Sequence, residues 1–67
     1  MFRRNMFEAI LKMRGKKLSD VSDFLQVNRS TIYKKVSQET DFTRAEVQKI
    51  KEFLELSEQE TVDIFFA

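Results

Sequence analysis

The stretch KKLSDVSDFLQVNRSTIYKKV, Lys16 to Val36, decides how this chain folds. Leu18, Val21 and Leu25 fall at i, i+3 and i+7, the spacing of one helical face, with Phe24 as a second inward residue. Ser19, Asp20 and Asp23 take the wet side. This predicts a short helix over Leu18–Leu25. Gln26, Val27 and Asn28 make a tight connection, and the Asn28 side-chain oxygen suits an N-cap. A further helix is expected over Arg29–Ser37. Its apolar content is only Ile32 and Val36, at i and i+4, with Val27 just before. Such a helix must expose most of its surface.

Upstream, Met6, Ile10 and Met13 repeat at i, i+4 and i+7, Phe2 extends the stripe backward, and Phe7 and Leu11 widen it. The expected helix is Phe2–Arg14. Gly15 closes it, with Arg14, Lys16 and Lys17 suiting its negative end. Downstream, TRAE (Thr43–Glu46) and SEQE (Ser57–Glu60) are capping boxes: the hydroxyl caps, and the glutamate reaches back. They open helices over Arg44–Leu54 and Glu58–Phe66. Val47, Ile50 and Leu54 line the first, with Phe53 beside them and Phe42 as its staple. Val62, Phe65 and Phe66 anchor the second, with Leu56 as its staple. Successive phenylalanines cannot point the same way on a helix, so either Phe65 or Phe66 is a candidate for an intersubunit surface.

Composition narrows the classes. Sixty-seven residues make one domain, 1–67, that buries roughly 60% of its unfolded surface. One glycine and no proline argue against a β sandwich or barrel, so the fold class is all-α. Without cysteine or histidine there is no disulfide, zinc finger or Ser-His-Asp triad, and no metal or cofactor is expected. The remaining carboxylates, such as Glu58 and Glu60, lie on solvated faces, and the chain is read as a non-enzyme. No apolar run reaches the ~20 residues of a membrane span, and a cytoplasmic setting is expected.

Net charge is only +1, but it is unevenly spread. Met1–Ser37 carries nine Lys/Arg against three Asp/Glu, and Gln38–Ala67 carries three against eight. The balance is therefore +6 in one half and −5 in the other. This suits a basic face for a polyanion. The plainer alternative is charge complementarity between helices, although exposed ion pairs contribute only about 0–1 kcal/mol.

The stretch from Lys16 to Val36 resembles the helix-turn-helix of the lambda-repressor/Cro-like family. DFTRAEVQKIKEFLELSEQETVDIFF is similar to the last two helices of small phage repressors in that superfamily. The resemblance spans nearly the whole chain. It implies a compact five-helix lambda-repressor-like DNA-binding domain with a central helix-turn-helix, in a transcriptional regulator of phage or mobile-element type. Two positions depart from the pattern. Ser22 stands where the family favours alanine, and its hydroxyl can bond a carbonyl one turn earlier. Gln26 stands where the family favours glycine, at a cost of roughly 1 kcal/mol in a left-handed conformation.

In that geometry the second motif helix enters the major groove, with its first residues at the base edges. Asn28, Arg29, Ser30 and Thr31 occupy this end. Arginine suits guanine, asparagine suits adenine, and the hydroxyls serve either base. Asn28 alternatively only caps, Arg29 is only solvated, and Thr31 is half-buried. Tyr33 suits a sugar or phosphate, or else helix packing; Lys34 suits the groove or a phosphate. Lys35 is expected on the flank, paired with Asp20 or Asp23. Lys17 is assigned to a phosphate at the start of the first motif helix, with Lys16 beside it. Solvation is the expected state of Arg3, Arg4 and Arg14. The implied partner is an operator in double-stranded DNA, with weak homodimerisation through the last two helices. The competing reading, from another class, is an antirepressor: an interaction module that binds a partner repressor instead of DNA.

Overall fold

The structure is a computed structural model and describes residues 1–66. Five helices, α1 (Arg4–Met13), α2 (Leu18–Leu25), α3 (Arg29–Val36), α4 (Arg44–Leu54) and α5 (Glu58–Phe65), form a compact all-α bundle of 28 × 24 × 21 Å. α2 packs on α3 and α4, and α5 packs on α1 and α4. Phe7, Val21, Ile32, Val36, Ile50, Leu54 and Ile64 are almost wholly enclosed. Burying each such side chain contributes about 1.5–3 kcal/mol. Helices this short are marginal alone, so the shared core holds them.

The caps explain the boundaries. Thr43 Oγ1 accepts from the Glu46 N–H at 3.1 Å, and Glu46 Oε1 accepts from the Thr43 N–H at 2.8 Å. Ser57 and Glu60 repeat the exchange at 3.0 and 2.8 Å. At the C-terminal ends, four helices close by the same pair of backbone bonds. The Lys16 N–H reaches the Leu11 carbonyl, that of Val27 reaches Ser22, that of Glu39 reaches Lys34, and that of Leu56 reaches Lys51, all within 2.8–3.0 Å. Each closure needs a left-handed residue, and these are Gly15, Gln26, Gln38 and Glu55. Only the first is glycine.

Several sequence expectations are corrected. α1 begins at Arg4 rather than Phe2, because the Arg3 N–H donates to the Ile64 carbonyl at 2.7 Å and holds Arg3 extended. Phe2 instead folds over Phe7, Phe42 and Phe65, with ring centroids 5.1–5.6 Å away. Met6 and Met13 lie on an exposed flank, while Phe7, Ile10 and Leu11 form the buried arc of α1. Phe24 is 45% exposed, stacked on Phe53 at 4.5 Å rather than enclosed. On α5 the anchors are Thr61, Ile64 and Phe65; Val62 and Phe66 face outward. α1, α3 and α5 each stop one residue short of the expected end, at Met13, Val36 and Phe65.

Candidate nucleic-acid interface

α2 and α3 are joined by Gln26, Val27 and Asn28 alone. Gln26 takes φ 59° and ψ 42°, which reverses the chain within one residue. Ser22 is completely buried in α2, and its hydroxyl donates to the Ser19 carbonyl at 2.8 Å. A small, internally satisfied residue at this point leaves no buried polar group unpaired. Ile32 and Val36 turn inward from α3, 0% and 2% exposed. These two anchors orient every other side chain of α3.

The outward side chains are those picked out by the sequence. Asn28, Arg29, Ser30, Tyr33 and Lys34 are exposed, and Thr31 is half-buried. Asn28 sits at the N-cap position with an extended backbone, but its side chain makes no cap bond. The expectation that it closes the helix start is therefore corrected, and its carboxamide stays available. Arg29, Ser30 and Thr31 form the first turn, which carries no acidic residue. Among the described residues, none of these six side chains has an intramolecular hydrogen bond or ion pair. Lys17 precedes α2. Its backbone N–H donates to Asp20 Oδ2 at 2.8 Å, while its exposed ammonium has no carboxylate partner among the described residues. Lys17 stands at the start of α2, and the residues from Asn28 to Lys34, other than Ile32, line the outer side of α3.

Two cations expected elsewhere have structural duties. Lys35 does not pair with Asp20 or Asp23. Its ammonium lies 3.1 Å from Glu46 Oε1 and donates to the Asp41 carbonyl at 3.0 Å, tying α3 to the start of α4. Burial alone would raise the Glu46 carboxyl, but the Thr43 N–H and the Lys35 ammonium outweigh it and hold the group below its ordinary range. Arg14 is not merely solvated. Its Nε donates to the Leu54 carbonyl at 2.8 Å, and Nη2 lies 3.7 Å from Glu60. It fastens the end of α1 to the negative end of α4. The Ser57 N–H, with Arg14 nearby, holds the Glu60 carboxyl below its ordinary range. The single hint in the sequence was an arginine beside the helix-closing glycine.

The charge asymmetry is therefore divided. Lys35–Glu46 and Arg14–Glu60 neutralise part of it between the halves, and Arg4–Glu8 pairs along α1 at 3.0 Å. Lys17, Arg29 and Lys34 remain outside every ion pair among the described residues. Among these residues, no cluster of acidic groups has a metal-holding arrangement, and no helix is long and apolar enough to cross a membrane. No family model, curated protein or solved structure matches this chain at a significant level.

Proposed function

We propose that this chain is a lambda-repressor/Cro-like helix-turn-helix regulator that binds double-stranded DNA sequence-specifically. The observation that carries the reading is the outer face of α3, whose polar side chains have no side-chain partners among the described residues, set by a three-residue turn against α2. Groups that find no internal partner are suited to an external one. In this reading α3 lies in the major groove. Arg29 makes a forked contact with guanine, and Asn28, Ser30 and Thr31 read neighbouring edges. Tyr33 and Lys34 meet the backbone, and Lys17 meets a phosphate at the start of α2. A bound operator is then closed to polymerase, the action of a small phage- or mobile-element-type repressor in a cytoplasmic setting.

The test is fluorescence anisotropy with generic duplex DNA, titrated in salt. Micromolar binding that falls steeply with salt supports the reading, because each neutralised phosphate contributes a slope of about −0.9. No binding at low salt overturns it. The face would then belong to an interaction module aimed at a partner repressor.

A further inference from the structure

A second basic feature lies where α1 meets the start of α2. Lys12, Lys16 and Lys17 rim a groove of about 550 Å³ between α1 and the start of α2, with Leu11 and Leu18 on its apolar side. Leu11 is buried and Leu18 half-buried. None of the three ammonium groups has a carboxylate partner among the described residues; that of Lys16 lies 5.3 Å from the Phe53 ring centre. Glu8, the one acid lining the groove, is paired with Arg4. A phosphate needs the cations but has no use for the leucines. The groove asks for a ligand that is both acidic and apolar.

α5 carries such a surface. Thr61, Ile64 and Phe65 point into the core, which leaves Glu58 and Val62, at i and i+4, on the outside of α5, with Phe66 exposed just past its end. Val62 is 45% and Phe66 61% exposed, beside Asp63 and Gln59. Single exposed apolar residues are ordinary. Two in one row, bordered by acids and belonging to a half with a charge of −5, complement a lysine-rimmed apolar groove on the +6 half. The row and the groove occupy different elements.

We propose that the Lys12–Lys16–Lys17 groove receives the outer face of α5 from a second copy of this chain. Val62 and Phe66 lie along Leu11, Leu18 and the lysine stems, while Asp63 meets the ammonium groups; Glu58 stays paired with Lys51 of its own chain. Groove and row are different patches, so a head-to-tail contact extends beyond two copies, into a filament or a ring of three or more. Each added copy presents a fresh groove. The groove shares Lys17 with the DNA reading but does not depend on it, and it is tested without DNA through Lys12 and Lys16.

The experiment is sedimentation equilibrium of the whole chain at rising concentration, at low and high salt. The expected result is an average mass that climbs beyond two copies at low salt and falls back as salt screens the lysines. Val62→Ser with Phe66→Ser, and separately Lys12→Glu with Lys16→Glu, should each weaken association about tenfold, with helical content and melting retained because all four residues are exposed. Mixing the two variants restores a pair and nothing larger, since only one intact groove meets one intact row. A chain that stays monomeric at low salt overturns the proposal. So does association that stops at two copies, or that neither double variant weakens.

Discussion

The α4–α5 end and the α2–α3 face are built from similar numbers of polar residues and use them in opposite ways. At the α4–α5 end, Thr43 and Glu46 bond each other, as do Ser57 and Glu60, and Gln59 donates to Asp63 at 2.8 Å. Lys51 pairs with Glu58, whose carboxyl that contact holds below its ordinary range. Phe2, Phe7, Phe42 and Phe65 stack into one aromatic cluster across the adjoining side. On the α2–α3 face, the side chains from Asn28 to Lys34, other than Ile32, bond nothing among the described residues. Polar groups used internally add stability and are lost to partners. Those left unpaired add little stability and stay available. The contrast separates a region whose polar groups hold the fold from one whose polar groups stay available.

The strongest way to break this contrast is to empty the aromatic cluster. Phe7 is completely enclosed, and Phe7→Ala should cost about 3–5 kcal/mol, measured by urea unfolding. In so small a domain that is most of the stability, so DNA binding should disappear with the fold. Arg29→Ala should do the reverse. It should leave unfolding within about 0.5 kcal/mol of the parent while costing about 1–3 kcal/mol of operator affinity by anisotropy. A destabilised Arg29→Ala chain would dissolve the contrast. Thr43→Ala removes one cap and should cost about 1 kcal/mol in thermal unfolding, with DNA affinity per folded molecule unchanged. The smallest effect is acid sensitivity. Glu46, Glu58 and Glu60 all titrate below the ordinary 4.5 when folded. The stability they contribute is therefore complete above that value and lost as pH falls through their lower folded values. Melting temperatures below about pH 4.5 should fall less in Glu46→Gln than in the parent. An equal fall would remove the Lys35–Glu46 tie as a source of it.

Much of the bundle was legible in the sequence because its signals are local. α2 and α4 have the expected bounds, since spacing, capping pairs and left-handed closures all act within a few residues. Ser22 bonding back to Ser19 was legible for the same reason. What failed depends on neighbours distant in sequence. The apolar arc of α1 is wider than α5 covers, so periodicity alone placed Met6 and Met13 inside with Ile10. Val62 and Phe66 were misassigned as anchors and Ile64 was missed, because only the docking of α5 on α1 and α4 selects among them. The partners of Arg14 and Lys35 come from helices 40 and 11 residues further on, Leu54 and Glu46, and no sequence spacing announces such pairs. For the interface, residue type and sparse apolar content sufficed to find exposed positions. The unused cap of Asn28 did not follow from them, because a side chain suited to capping need not do so.

The bond from the Arg3 amide to the Ile64 carbonyl has a consequence for the order in which the bundle can be assembled. It brings the first and last helices side by side and makes the path of the chain nearly a closed ring. A circular permutant, bridged by a short glycine-serine segment and reopened after Thr40, would keep all five helices. It would also turn the α1–α5 contact, the most distant in sequence, into a local one. Folding rates follow the average separation of contacting residues, so such a chain should fold faster at comparable stability. The ring would then have a topology that kinetics can read while its native surface stays the same.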